Sequence, residues 1–166
     1  MGSRVISRWI GQSRCLPRTN RSPHLLYFAF ASNMSSRQMT SRIGEYKNLG
    51  RGKLSCWRIA FNKRSKDGSA KANVVEELKS TVWGVLYDIS ATDIANLDAW
   101  EPGYSRIAVA IVLDSGEKFE AACYIAREVE EGLEPSRQYL DTILEGAREN
   151  KLPAEYIALI EGFRAR

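Results

Sequence analysis

The segment LDAWEPGYSR (97–106) places two acidic side chains, Asp98 and Glu101, three residues apart. Trp100 and Tyr104 stand close to Glu101 in the chain. Aromatic neighbours that exclude water raise a carboxyl pKa, and a carboxylate with a raised pKa is a better general base near neutral pH. The same spacing is equally typical of an exposed acid at a helix end beside an aromatic lid, so the residues alone leave both interpretations open.

The segment YFAFASNM (27–34) is the second place where the residue types allow chemistry. An apolar, aromatic run ends there in small and polar residues, and a polar helix is predicted to follow. Backbone N–H groups at such a turn can hold an anion, helped by the helix N-terminus. From spacing alone, a core strand followed by a helix cap is the favoured interpretation.

Composition excludes several other kinds of site. The only histidine, His24, falls in the predicted N-terminal tail, which disfavours a Ser-His-Asp or Cys-His arrangement. Cys15, Cys56 and Cys123 are scattered and odd in number, which fits a reducing compartment and neither a disulfide framework nor a usual zinc site. We therefore expect neither a metal nor a cofactor.

The positive net charge of +4 comes from the N-terminus. Five of the 24 basic side chains lie in residues 1–24, which hold no acid, so the rest of the chain carries 19 basic against 20 acidic side chains. Because residues 25–166 are nearly neutral, their charge does not indicate a basic surface that would bind nucleic acid. No apolar run reaches the ~18 residues that span a bilayer. We expect a small-molecule partner, no nucleic acid and no membrane, and a monomer or homodimer.

Residues 1–24 are rich in arginine and serine, and Ser22-Pro23 is typical of a boundary. The segment is predicted to be a disordered basic arm or a targeting segment, since its composition resembles a transit peptide. The folded domain is predicted over 25–166. The expected location is cytoplasmic, or an organelle if the arm directs import.

The hydrophobic pattern predicts the elements that must position the two segments. The predicted strands are 25–31, 53–61, 82–89, 106–113 and 118–125. Helices are predicted over 35–46 and 90–98, after Ser136 and after Pro153, and residues 62–73 are predicted to form a flexible basic loop. Strands with helices at intervals predict a small α+β or mixed α/β sheet, curled toward a barrel.

In five segments, in the same order, the chain resembles the gamma-glutamylcyclotransferase-like family. Residues 27–34 resemble its YFAYGSN-type substrate loop, and VWGV (82–85) resembles one of its strands. Residues 97–101 resemble its LDxxE segment, in which the glutamate is the catalytic acid/base. PSRQY (135–139) and GARENKLP (146–153) resemble its C-terminal helix region.

This resemblance implies an α+β barrel of five to seven strands with flanking helices. It also implies a cofactor-independent cyclisation of γ-glutamyl compounds that yields 5-oxoproline and a free amino acid or amine. Glu101 then matches the catalytic general acid/base, and Asp98 is a helix acid whose charge would raise the Glu101 pKa. The substrate-binding residues that the resemblance implies are Tyr27, Phe28, Ala29, Phe30, Ala31, Ser32, Asn33 and Tyr139.

Two residues depart from the family pattern. Phe30 stands where the family has tyrosine, so one hydroxyl is missing, and Ala31 stands where it has glycine, which tolerates positive φ and close ligand approach. The leaving group stays open among an amino acid, an amine and the cysteinylglycine of glutathione. A non-catalytic small-molecule-binding or regulatory protein on the same fold is the alternative, and an adaptor that uses the basic arm is a third hypothesis.

Overall fold

Five strands close into a barrel in the computed structural model, which describes residues 23–166. They are β1 (His24–Ala29), β2 (Tyr46–Arg64), β3 (Ala70–Ser90), β4 (Tyr104–Leu113) and β5 (Lys118–Ala126). Their order around the barrel is β1-β3-β2-β4-β5. β1 pairs antiparallel with β3 and meets β5 in parallel, with Tyr27 opposite Ala122. The predicted α+β fold, with a mixed sheet curled into a barrel, is confirmed.

Four α-helices flank the barrel in the described part of the chain. They are α1 (Ser36–Arg42), α2 (Ala91–Trp100), α3 (Arg137–Glu149) and α4 (Ala154–Glu161), and a 3-10 turn, Ser32–Met34, precedes α1. The predicted serine caps are present, because Ser90 Oγ accepts from the Asp93 N–H (3.0 Å) and Ser136 Oγ from the Tyr139 N–H (3.2 Å). α1 ends earlier than predicted, since Ile43 is already extended, with φ −137°.

The flexible loop predicted over 62–73 is wrong. β2 and β3 are 19 and 21 residues long and continue into this segment, so that residues 65–69 alone connect them. Small inward-facing side chains make this possible: Ala70, Ala72 and Val74 are buried and alternate with polar residues. The intervening lysine and asparagine residues concealed that alternation in the sequence.

His24 does not lie in a tail, as the sequence predicted, but begins β1. Its Nδ1 is 2.7 Å from the Asp88 carboxylate, and the imidazole is largely exposed. The other predictions for the N-terminal arm, disorder or targeting over residues 1–24, concern residues that lie almost entirely outside the described part. Between residues 23 and 166, no helix has the length and apolarity that crossing a membrane would require.

Two glycines allow the close approaches that fix the chain after β1. A Cβ on Gly84 of β3 would lie 2.3 Å from the Ala29 carbonyl oxygen. A Cβ on Gly146 of α3 would lie 2.4 Å from the Ser35 backbone nitrogen and 2.5 Å from the Met34 carbonyl carbon. Neither backbone neighbour can turn aside as a side chain does. The segment that follows β1 is therefore held between the sheet and α3.

Candidate active site

A cavity of about 200 Å³ opens where β1 ends. Both segments singled out in the sequence contribute to its wall, residues 30–33 from the turn after β1 and residues 100–102 from the end of α2. The remaining wall comes from the strands of the barrel, from the β2–β3 connection and from two helices. Its residues are Tyr27, Gln38, Arg42, Lys63, Ser65, Lys71, Ala72, Tyr104, Tyr124 and Tyr139.

Glu101 is the carboxylate of this cavity. It caps the C-terminus of α2, and the turn that follows it contains Gly103 with φ +84°, a conformation that favours glycine. Its side chain is only 17% exposed. Oε1 accepts hydrogen bonds from Arg42 Nη1 (2.8 Å) and Asn33 Nδ2 (3.2 Å). Oε2 accepts no hydrogen bond from residues 23–166, so that oxygen is available to a ligand.

The charge state of Glu101 reflects two opposing influences. Burial raises the pKa of its carboxyl above the ordinary value, because ionisation in a dry site is costly. The positive charge of Arg42, the hydrogen bond from Asn33 and the more distant Lys63 act in the opposite direction and lower the pKa. Burial is the largest of these effects. The result is a carboxylate of increased basicity that still has partners for its ionised form.

Asn33 links the two segments into one unit. Its Nδ2 donates to the Tyr27 hydroxyl (2.8 Å) as well as to Glu101, and its Oδ1 accepts from Arg42 Nη1 (2.8 Å) and Gln38 Nε2 (3.2 Å). The amide is buried, so each of these bonds replaces one to water. The guanidinium of Arg42 also lies 5.4 Å from the centre of the Trp100 ring. The carboxylate and the turn after β1 therefore cannot move independently.

Asp98, the other acid of the segment 97–106, does not line the cavity. Its Oδ1 accepts from the Tyr124 hydroxyl (2.7 Å) and lies 3.0 Å from Arg106 Nε, and its side chain is 41% exposed. Burial, rather than the charge of Asp98, is the main cause of the raised Glu101 pKa. Asp98 is thus an ion-paired acid at the surface of α2.

Most of the predicted loop residues reach the cavity. Tyr27 and residues 30–33 line it, whereas Phe28 and Ala29 are buried in the barrel core and do not. Ala31 has φ −130°, so the turn needs no glycine at that position. The backbone N–H groups of 31–33 donate to no acceptor among residues 23–166, and all three residues line the cavity.

Tyr139, from the first turn of α3, is partly buried at the opposite wall. Its hydroxyl oxygen accepts from the Ala72 backbone N–H at 3.2 Å, which leaves the hydroxyl proton for a partner in the cavity, either the Ser32 side chain or a ligand. Burial raises the pKa of this hydroxyl to about 12, so it stays protonated at neutral pH.

Sequence reasoning missed the cationic side of the cavity, formed by Arg42, Lys63 and Lys71. One signal for Arg42 was present, since α1 contains no acid that could pair with it. The two lysines belong to a run of basic side chains in the segment predicted as a loop, and such a run is more typical of a solvated surface than of an anion-binding patch.

Comparisons with known proteins agree with the fold and with the resemblance. The AIG2-like family matches residues 81–160, which include Glu101 and Tyr139. The chain is 27% identical over 148 residues to gamma-glutamylcyclotransferase of Bos taurus, covering 84% of this chain and 78% of that protein.

Two solved structures share the architecture. The crystal structure of the uncharacterized Homo sapiens protein loc79017 superposes with a TM-score of 0.81 at 25% identity, over 86% of this chain and 89% of that one. A structure titled gamma-glutamyl cyclotransferase gives a TM-score of 0.82 at 24% identity, over 87% of this chain and 90% of that one. The resemblance to the gamma-glutamylcyclotransferase-like family is thereby confirmed.

Proposed function

We propose that this protein is a gamma-glutamyl cyclotransferase that converts the γ-glutamyl group of its substrate to 5-oxoproline and releases the attached amino acid or amine. One observation carries the proposal. The largely buried Glu101 carboxylate has one oxygen fixed by Arg42 and Asn33 and the other without a partner among residues 23–166. It lies on a cavity wall next to a turn whose backbone N–H groups also have no partner among those residues.

The reaction is intramolecular and needs no protein nucleophile and no water. The α-amine nitrogen of the glutamyl group attacks its own γ-carbonyl carbon, which forms the new C–N bond of the five-membered ring. The original amide C–N bond then breaks and its electron pair stays on the leaving nitrogen. Holding the chain curled for this attack is worth up to ~7–11 kcal/mol.

Glu101 handles the proton in this scheme. The α-amine arrives as an ammonium, and Glu101 Oε2 removes one proton so that the nitrogen lone pair can attack. The same carboxyl group then returns this proton to the departing nitrogen. As the ring N–H forms, the former α-amine gives up a second proton, which Glu101 passes to the released amine, so that the amine leaves as an ammonium. General acid–base catalysis of this kind contributes roughly 10²–10⁴-fold. The N–H groups of 31–33 hold the substrate α-carboxylate, and the Tyr139 hydroxyl donates to the substrate.

The direct test is incubation of the purified protein with γ-glutamyl dipeptides, γ-glutamyl amines and glutathione, with chromatographic detection of 5-oxoproline. Formation of 5-oxoproline from at least one of them is expected. A protein that binds these compounds without producing 5-oxoproline would instead be the non-catalytic binding protein on the same fold.

Replacing Arg42 with glutamine is expected to move the acidic limb of the kcat/KM pH profile to higher pH. Glu101 must be ionised to act as the base, so activity falls as the pH falls through its pKa in the free enzyme. Arg42 lowers that pKa, and its removal raises it further. Arg42→Lys keeps the positive charge, so the acidic limb of its pH profile should lie closer to that of the wild type than the limb of Arg42→Gln does. A lower kcat with an unmoved limb would mean that Arg42 has only a structural role.

A further inference from the structure

Two lysines face each other across the β2–β3 ladder at the cavity. Lys63 and Lys71 are Cα partners in the antiparallel register, and both side chains line the cavity. Like charges directly opposite each other on neighbouring strands are destabilising. Residues that break such a local rule without local compensation are expected at functional sites.

Neither ammonium has a carboxylate partner within salt-bridge distance among residues 23–166. Each lies instead over a tyrosine ring of the cavity. Lys71 Nζ is 4.0 Å from the centre of the Tyr139 ring, and Lys63 Nζ is 5.2 Å from that of Tyr104. Cation–π contact holds an ammonium in place and leaves its N–H donors for another partner.

The tyrosine rings are themselves fixed by the backbone of β3. The Tyr104 hydroxyl donates to the Ala72 carbonyl oxygen (2.7 Å), and the Tyr139 hydroxyl accepts from the Ala72 N–H (3.2 Å). The Lys63 side chain also packs against the turn after Glu101, since a Cβ on Gly103 would lie 3.0 Å from Lys63 Cε. The two ammonium groups are therefore positioned parts of the cavity.

Burial lowers the pKa of Lys71, and the positive charges of Arg42 and Lys63 lower it further, while the negative charges of Asp67 and Glu101 oppose them. This direction fits an ammonium held in a partly dry cavity with other cations. A bound anion would relieve both the repulsion and the poor solvation.

The charges of the cavity can be compared with those of a substrate. Its wall carries three cations, Arg42, Lys63 and Lys71, and one carboxylate among the described residues, Glu101, so the net charge is +2. A γ-glutamyl group contributes one ammonium and one carboxylate, which cancel. Carboxylates on the leaving group would match the remaining positive charge.

We propose that Lys63 and Lys71 form a subsite for the carboxylates of the leaving group, so that an acidic amino acid is the preferred leaving group. This inference rests on the proposed cyclotransferase function and narrows its substrate class. The best substrates are then γ-glutamyl peptides of glutamate or aspartate, and γ-glutamyl amines are the poorest.

A charge series tests the subsite. We compare kcat/KM for 5-oxoproline release from γ-glutamyl-butylamine, γ-glutamyl-glutamine and γ-glutamyl-glutamate, whose leaving groups carry none, one and two carboxylates. The value should rise along the series, with about a tenfold step between the glutamine and glutamate peptides, the size of one charge-assisted hydrogen bond. The γ-glutamyl α-carboxylate is common to all three compounds and cancels from the ratios.

Lys63→Gln and Lys71→Gln should each reduce the glutamate-to-glutamine ratio toward one, mainly through KM. Lys66→Gln is the matched control, because Lys66 is an exposed lysine in the turn of the same hairpin and does not line the cavity. Thermal melting should show that the two cavity variants are at least as stable as the wild type, since the cross-strand repulsion is gone. A wild-type ratio near one, or a ratio unchanged in both cavity variants, would overturn the subsite.

Binding measurements separate this inference from the proposed function. Calorimetry with the Glu101→Gln variant gives dissociation constants for the glutamine and glutamate peptides in the absence of the proposed base. If no compound yields 5-oxoproline, the cyclotransferase proposal fails. The binding ratio with and without Lys71→Gln still decides the subsite, because tighter binding of the glutamate peptide that depends on Lys71 supports it and equal binding refutes it.

Discussion

Replacing Glu101 with glutamine is expected to reduce kcat by about 10²–10⁴-fold, the usual contribution of general acid–base catalysis, and to leave the protein folded. Glutamine has nearly the same shape as glutamate, and its amide oxygen can still accept from Arg42 and Asn33. It cannot take the proton from the substrate ammonium. The measurement is the initial rate of 5-oxoproline release at saturating dipeptide, together with circular dichroism and a melting curve.

Asp98→Asn is the control for this experiment. Asp98 lies in the same helix but is engaged by Tyr124 and Arg106 outside the cavity, so its replacement should change kcat far less. If Asp98→Asn abolished turnover while Glu101→Gln stayed active, the assignment of the base would have to be reversed.

The substitution Gly146→Ala is expected to destabilise the protein and to disturb the site. Helix propensity alone predicts the opposite, a gain of about 1 kcal/mol for alanine over glycine inside a helix. The added Cβ, however, would lie 2.4–2.7 Å from the backbone of Ser35 and from Met34, so α3 must move away from the segment after β1. Overpacking of this kind costs typically ~1–3 kcal/mol and occasionally more. We therefore expect a lower melting temperature and a lower kcat/KM.

Gly44→Ala provides the comparison for Gly146→Ala. No heavy atom lies within 4 Å of a Cβ built at Gly44, so its melting temperature should remain close to that of the wild type. A Gly146→Ala protein as stable and as active as the wild type would show that α3 does not hold the turn after β1.

Local signals in the sequence were sufficient for several features of the structure. Ser90 and Ser136 begin helices because a serine oxygen satisfies a backbone N–H that the helix leaves free. Leu140, Ile143 and the other apolar positions of α3 are buried, as their spacing predicted. The segment around Glu101 combines an acid, two aromatic residues and a Pro-Gly turn. This combination is compatible with a carboxylate shielded from water and equally with an exposed acid at a helix end, so the sequence alone could not decide between them.

Features that depend on long-range pairing could not be predicted in the same way. Lys63 and Lys71 meet because two long strands continue to Arg64 and from Ala70, whereas the charged residues between them indicated a loop. Arg42 reaches Glu101 across 59 positions of the chain, and nothing near either residue indicates the partnership. The three cations of the cavity thus come together only when the barrel folds, and no single segment of the sequence contains them all.

The parallel contact between β1 and β5, at Tyr27 and Ala122, is the seam where the two ends of the sheet join. The Tyr27 hydroxyl also accepts a hydrogen bond from the Asn33 amide, and the same amide donates to Glu101. A compound that binds in the cavity therefore lies against this seam, inside the barrel. Because such a compound binds only the folded protein, it raises the free energy of unfolding.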